Sequence, residues 1–288
     1  MTLEQLRIFV AVAAREHLTR AAAELNLTQS AVSAAVAALE ARHATRLFNR
    51  VGRRIELTAA GRLFLAEARA VLARAAQAEA VLNDLAGLQR GSLAVAASQT
   101  VGNYWLPALL HRFRRAHPAV TVGLSIGNTE QVARLVLEGA AELGVVEGAV
   151  DEPALLALPV AEDELVLVAS PGLAPAGPPT AAVLKTLPFV LREAGSATRT
   201  LGLEALGLAI EDLQVILELP SNEAVRAAVE DGAGLAVLSR QVVAGALEAG
   251  TLVRLDREVG RRRFYALHHK ERRPEAAAAA LLELMQGA

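Results

Sequence analysis

Thr28-Gln29-Ser30-Ala31-Val32-Ser33-Ala34-Ala35-Val36-Ala37-Ala38-Leu39 is the stretch around which the rest of the chain can be arranged. Thr28 can cap, and no Pro or Gly interrupts the run from Gln29 to Leu39, which predicts a helix with Val32, Val36 and Leu39 on one face. Gln29, Ser33 and, at its margin, Ser30 fall on the other face, which is small and polar. Working upstream, Thr2 with Gln5 makes a capping box for a helix whose apolar side is Leu6, Phe9, Val10 and Ala13. A second short helix comes after Thr19, with Ala21, Ala22 and Leu25 available for packing, and Asn26-Leu27 supplies the turn. Downstream, Val51-Gly52-Arg53-Arg54-Ile55-Glu56-Leu57-Thr58 alternates like a strand pair closed by a tight basic turn.

From Ala59 to about Gln89 there is no Pro and little Gly. Phe64, Ala68, Val71, Ala75, Ala78, Leu82 and Leu85 recur in steps of four and three, the spacing of a coiled-coil seam. A lone helix of that length would leave the stripe exposed, so it is expected to pair with the same helix of a second subunit.

Composition narrows the function classes. The chain has 288 residues and no cysteine, which removes disulfides, thiolate metal sites and thiol nucleophiles. A net charge of -2 hides an asymmetry, because residues 1–90 carry 12 Arg against 8 Asp and Glu while the remainder is net acidic. Such polarity suggests a polyanion partner at one end. No run is long and apolar enough for a membrane span, and Glu4, Arg7, Arg15 and Glu16 interrupt any export signal, so a cytoplasmic location without membrane attachment is expected.

After Gly91 short apolar runs alternate with helical patterns, the rhythm of α/β folds with parallel sheets. Leu93–Ala97, Val120–Ile126 and Leu143–Val146 form one set of strands, with helices near 103–116 and 129–139. Leu165–Ala169, Phe189–Leu191, Val215–Leu219 and Leu235–Leu238 form a second, with helices near 197–206, 222–231 and 240–247. This makes two lobes, one at about 91–161 with 265–288 and the other at about 162–264. Late strands Thr251–Leu255 and Arg263–His268 and a helix near 274–286 return the chain to the first lobe. Open α/β sheets bind ligands at the carboxyl ends of their strands. Ser98, Gln99 and Thr100, Asn128 and Thr129, Ser196 and Thr198, and Ser221 and Asn222 all stand there before helices, where unpaired N–H groups favour an anion. Each residue alone is an ordinary helix cap; the set indicates a ligand. Glu147 ends a strand on the same rim, and its charge would oppose an anion unless protonated or paired; it could equally reject the wrong ligands or bind an amine.

The runs Leu6-Arg7-Ile8-Phe9-Val10-Ala11-Val12-Ala13, Thr19-Arg20-Ala21-Ala22, Leu27 to Ser33, Leu39-Glu40, Arg46-Leu47-Phe48-Asn49-Arg50 and Leu57-Thr58-Ala59-Ala60-Gly61 resemble, in order, the LysR-type transcriptional regulators. Pro118 before a strand and Gly232-Ala233-Gly234 before Leu235–Leu238 extend the resemblance over nearly the whole chain. It implies a winged helix-turn-helix over 1–60, a linker and dimerisation helix over 61–90, and a two-lobed effector domain of the type 2 periplasmic-binding-protein kind over 91–288. Ser98–Pro107 and Gln29–Ala35 look like the branch controlling sulfur assimilation and sulfite reduction, implying a sulfur oxoanion or related metabolite as effector. Three departures stand out. Ala34, Ala35 and Ala37 replace longer side chains of the recognition helix, His43-Ala44 replaces a common Leu-Gly ending, and Ser30 replaces a frequent proline.

The resemblance implies promoter DNA as a partner, a homodimer through the long helix and a homotetramer, and it leaves room for RNA polymerase. Thr19, Arg20, Thr28, Gln29, Ser30 and Ser33 are the expected helix contacts, with Gln29 suited to an adenine edge. Arg50, Arg53 and Arg54 are expected to straddle the phosphates from the wing. No catalytic signature is found: there is no Walker A run, no G-x-S-x-G and no H-E-x-x-H, Gly232-Ala233-Gly234 lacks the third glycine of a dinucleotide loop, and His268-His269 point to opposite faces of a strand. Neither cofactor nor metal is expected. The rival reading is a small-molecule-binding protein without transcriptional output.

Overall fold

The computed structural model describes residues 1–51, 54–84, 91–148 and 150–287, without the side chains of residues 50, 51, 54, 77 and 79–84. It divides into two compact units, residues 1–85 with 138–140 and the remainder of the chain.

In the first unit α1 (Leu3–Arg15), α2 (Leu18–Glu24) and α3 (Gln29–Arg42) precede a hairpin of β1 (Phe48–Val51) and β2 (Arg54–Leu57), and α4 (Ala59–Asp84) comes next. The capping box at α1 is formed in both directions between Thr2 and Gln5. Helix α1 buries more than the anticipated stripe: Ile8, Ala11 and Val12 join Leu6, Phe9 and Ala13, while Val10 is only partly buried. The cause is topological, since α2, α3 and α4 all pack on α1. Helix α2 begins at Leu18, one residue before Thr19, and the turn at Asn26 takes φ 55°. The hairpin is longer than expected, starting at Phe48, because Glu40 Oε1 accepts the N–H groups of Leu47 (2.7 Å) and Phe48 (3.1 Å) and orders the chain there.

Phe9 centres this unit. Its ring lies 5.3 Å from Phe48 and 5.0 Å from Phe64, so one side chain ties α1 to the hairpin and to α4. Phe64 and Ala68 therefore serve the domain's own core, which corrects the view that the whole seam faces a second subunit. Farther along α4, Val71 is 41% exposed and Ala78 is exposed, and near the helix start Leu63 is 77% exposed. Leu82 has no described side chain and Leu85 lies outside the described residues. Gly61 is dictated by close approach, for a Cβ there would stand 2.1 Å from the Leu47 carbonyl oxygen.

The second unit holds β3 (Gly91–Ser98), a π-helical turn (Val101–Trp105), α5 (Leu106–Ala116), β4 (Val120–Gly127), α6 (Thr129–Leu137), β5 (Leu143–Glu147) and β6 (Leu155–Ala169). It continues with α7 (Ala181–Leu184), β7 (Pro188–Arg192), α8 (Ala197–Leu206), β8 (Gln214–Leu219), α9 (Asn222–Glu230), β9 (Ala236–Ser239), α10 (Arg240–Ala249), β10 (Val253–His269) and α11 (Ala276–Gln286). Three expectations need correction. The helix near 103 starts instead as the π-helical turn at Val101, the strand at Leu165 begins ten residues earlier, and the two late strands are one 17-residue strand. Both misread strands are charged through their middles, where polar faces masked the period.

Strand order is β4-β3-β5-β10-β6-β9, and β7 with β8 continues from β9 through a bridge between Phe189 and Leu235. Long strands β6 and β10 pair antiparallel along nearly their whole length, with register shifts between Arg254 and Glu258, Glu258 and Gly260, and Phe264 and Tyr265. Their ends carry different neighbours, one half of this sheet for each lobe: β10 pairs with β5 through Phe264–Leu267, and β6 pairs with β9 through Leu165–Val168. Each half is covered on both faces. Leu93, Val145, Phe264 and Leu281 fill one side of the first and Val132, Val136 and Leu267 the other; Leu167, Phe189 and Leu206 and then Val168, Val225 and Val243 do the same for the second.

Helix α3 ends without the usual glycine, and Ala44 is held at φ 45°. A left-handed alanine is strained by about 1–2 kcal/mol, part of which glycine returns through the unfolded chain. Ala44→Gly is expected to raise stability by about 0.5–1 kcal/mol, whereas Phe9→Ala should cost about 3–5 kcal/mol; urea melts of the two variants check both signs.

Candidate DNA-binding face and effector cleft

On α3 the buried residues are Val32, Val36 and Leu39, all within 6% of full burial, while Thr28, Gln29 and Ser30 are exposed and Ser33 is half-buried. The helix start is built by Thr28, whose hydroxyl accepts the Ala31 N–H and lies 3.0 Å from the Ser30 hydroxyl. Thr19 and Arg20, on α2, are exposed as well. Arg50 and Arg54 sit on the hairpin strands, but their side chains, like the whole of Arg53, lie outside the described residues.

In the second unit the residues expected to meet an effector come together from both sheets, and most already hold one another. Gln99 donates to the Pro220 carbonyl (2.6 Å) and accepts the Asn222 N–H (2.9 Å). Asn222 Nδ2 donates to Thr100 Oγ1 (3.1 Å), and its carbonyl oxygen accepts from Arg192. Asn128 caps α6 by accepting the Gln131 N–H, and its amide reaches across to Glu193 Oε1 and the Ala194 carbonyl, both at 3.2 Å. Gly195 suits this approach: its φ is +83°, and a Cβ would stand 2.8 Å from Glu130 and 3.2 Å from Asn128. Ser98 is buried and reaches only the Val145 carbonyl, at 3.4 Å. Ser196 is buried yet makes no side-chain cap to α8, whereas Ser221 does cap α9. Thr129 Oγ1 is buried without a hydrogen-bond partner at the edge of a cavity of about 460 Å³, which Glu147, Gly148, Gly195 and Ala197 also line.

Thr198 and Glu147 lead to a residue absent from the sequence reading. Arg262, 6% exposed, donates from Nε to Asp163 (2.8 Å), from one terminal nitrogen to Thr198 Oγ1 (2.8 Å) and from the other to Thr100 Oγ1 (3.2 Å). Glu147 faces that last nitrogen at 3.6 Å, so its charge is paired. Asp163 is further satisfied by the Ser239 hydroxyl (2.7 Å). Removing the guanidinium alone would strand buried carboxylates, at a cost of about 3–5 kcal/mol. Strand alternation could have found it, because Arg262 is two and four residues before the buried Phe264 and Ala266.

Two further carboxylates were missed. Burial pushes Glu193 up, but the bidentate Arg192 (2.7 and 2.8 Å), a backbone N–H and Asn128 outweigh it and hold the carboxyl below its ordinary range. Glu223 is likewise raised by burial and lowered more by a backbone N–H, Ser221, Tyr104 (3.1 Å) and Asn103 (3.2 Å). Asn103 and Tyr104 come from the π-helical turn, a distortion common at functional sites. Among the described residues no group of His, Asp and Glu could hold a metal ion, and no helix is long and apolar enough to cross a membrane.

Residues 3–62 match the model of the bacterial regulatory helix-turn-helix proteins of the lysR family, and residues 86–288 match the LysR substrate binding domain. The chain belongs to the LysR family. It is a DNA-binding transcriptional regulator with an effector-binding domain, not an enzyme. The regulator is 36% identical to the uncharacterized HTH-type transcriptional regulator YeiE of Escherichia coli K12, over 94% of this chain and 92% of that one. It is 33% identical to the RuBisCO operon transcriptional regulator of Allochromatium vinosum, over 99% and 95% respectively. Among solved structures it is similar in fold to CbnR, a LysR family transcriptional regulator (23% identity, TM-score 0.71, 100% and 99% covered). It also resembles the Synechocystis CcmR regulatory domain in complex with 2-PG (26% identity, TM-score 0.61, 69% and 97% covered). These relatives do not support the sulfur-assimilation branch that Ser98–Pro107 suggested. Short polar residues are favoured at helix starts by capping alone, and so they distinguish branches poorly.

Because both carboxyls are depressed in the folded regulator, the stability they contribute is present above the unfolded carboxylate pKa of about 4.3 and is lost as pH falls through their folded values. Melting temperature measured from pH 6 downward should drop below about pH 4.3, and Glu223→Gln should make that drop shallower.

Proposed function

We propose that the chain is a cytoplasmic regulator that reads promoter DNA with α3 and senses a small anion between the two lobes of residues 91–288. The observation that carries the DNA reading is the sidedness of α3: Val32, Val36 and Leu39 are spent on the core, leaving Gln29 and Ser30 outward. A helix can enter the major groove only when its polar side is free in this way. Alanines at 34, 35 and 37 offer little reach to base edges, so selectivity rests on Gln29, Ser30, Ser33 and the hairpin. Thr19, Arg20 and the hairpin arginines Arg50, Arg53 and Arg54 supply backbone contacts. The solved complex of CbnR with its target DNA supports this use of the fold.

For the sensor, the support is the convergence of Thr100, Asn128, Thr198 and Asn222 from two lobes around buried guanidinium groups. Such groups recognise carboxylates and phosphates, and the CcmR regulatory domain binds 2-PG. An effector acts only by favouring one lobe arrangement over another. Subunits pair through α4, whose Val71 and Ala78 are not used by their own domain. The resemblance extends this to a tetramer.

Gel shifts with the chain's own upstream DNA test the output. Gln29→Ala should lose about 1–3 kcal/mol on that sequence and little on unrelated DNA. Arg20→Ala should weaken both equally and reduce the salt slope by about one. Calorimetry with 2-PG, inorganic phosphate and sulfate tests the sensor. Saturable heat from one of them is expected, and silence from all three would end the anion reading.

A further inference from the structure

We infer that Arg262 is the group that reads the effector's anionic end, and that Glu147 is its resting counter-ion, which the effector displaces. This rests on the anion reading above and goes beyond it by naming the selecting residue and its competitor. The guanidinium is held on three sides: Asp163 fixes Nε, Thr198 fixes one terminal nitrogen, and Thr100 takes one hydrogen of the other. Toward Glu147 the second hydrogen of that nitrogen makes no hydrogen bond, since the carboxylate stands off at 3.6 Å although both side chains are almost fully buried. Every other acceptor around Arg262 lies within 3.2 Å.

Glu147 also lines the cavity of about 460 Å³ that opens between α6 and α8, whereas Arg262 does not. Arg262 instead borders a second cavity of about 760 Å³, which shares Gly148 and Leu201 with the first. The two cavities meet at Gly148 and Leu201, so a carboxylate or phosphate that reaches the guanidinium there comes up beside the Glu147 charge. Once there it can make the short charge-assisted contact that Glu147 does not. Thr100 and Thr198 are on different lobes, so an anion seated on Arg262 is felt by both.

The exchange predicts that neutralising the counter-ion improves binding, which a purely structural ion pair would not do. Calorimetry with inorganic phosphate, sulfate and 2-PG on the full chain should show Glu147→Gln binding the preferred anion at least tenfold tighter than the parent. Arg262→Lys, which keeps the charge but loses the fork, should bind it at least tenfold more weakly. Parent and Glu147→Gln binding with equal affinity would overturn the inference while leaving the anion reading intact; no heat from either with any of the three anions would overturn both. If Arg262→Lys fails to give a cooperative melt, the Glu147→Gln comparison alone decides.

Discussion

The sensor half is built on a shared pair of strands. Strands β6 and β10 run antiparallel through both lobes, so neither lobe can be completed without the other and the space between them is floored by their midpoints. Any ionic group planted at those midpoints is taken out of water, and a buried charge persists only when paired and hydrogen-bonded. Asp163 on β6 and Arg262 on β10 obey that constraint, facing each other at 2.8 Å. From them the polar network spreads to Thr100, Thr198, Glu147 and Ser239.

This arrangement explains why so many polar side chains in the cleft are engaged with one another. Gln99, Asn128 and Asn222 make contacts from one lobe to the other that are individually modest, of the order of 1 kcal/mol net for a neutral hydrogen bond. Contacts of that size can be exchanged for those of a ligand. A buried apolar seam in the same place could not be exchanged without exposing its surface. The Glu223 cluster at the π-helical turn has the same character, being half-exposed and composed of neutral donors around one carboxylate.

The DNA-binding unit obeys a different logic. Its centre is aromatic and dry, with Phe9 between Phe48 and Phe64, and its polar chemistry is turned outward on α3. Glu40 is the exception. It uses its carboxylate to receive two backbone N–H groups where α3 hands over to the hairpin, so the start of the hairpin is positioned by a residue of α3 itself.

Much of this was legible in the residues. Local rules carried the caps at Thr2 and Thr28, the sidedness of Val32, Val36 and Leu39, and the alternation of strands and helices after Gly91, because each depends on neighbours within a few positions. Capping chemistry likewise marked Ser98–Thr100, Asn128 and Asn222 as cleft residues. Long-range partners were not legible. Nothing near Arg262 in the chain announces Asp163, Thr198 or Thr100, which lie 99, 64 and 162 residues away. The charged middles of β6 and β10 look like solvated loops until pairing buries them, and the first half of the α4 stripe looks free until Phe9 occupies it. Periodicity tells which side of an element is apolar; only the closed fold decides what meets that side, because burial is a property of the assembled surface and not of the element.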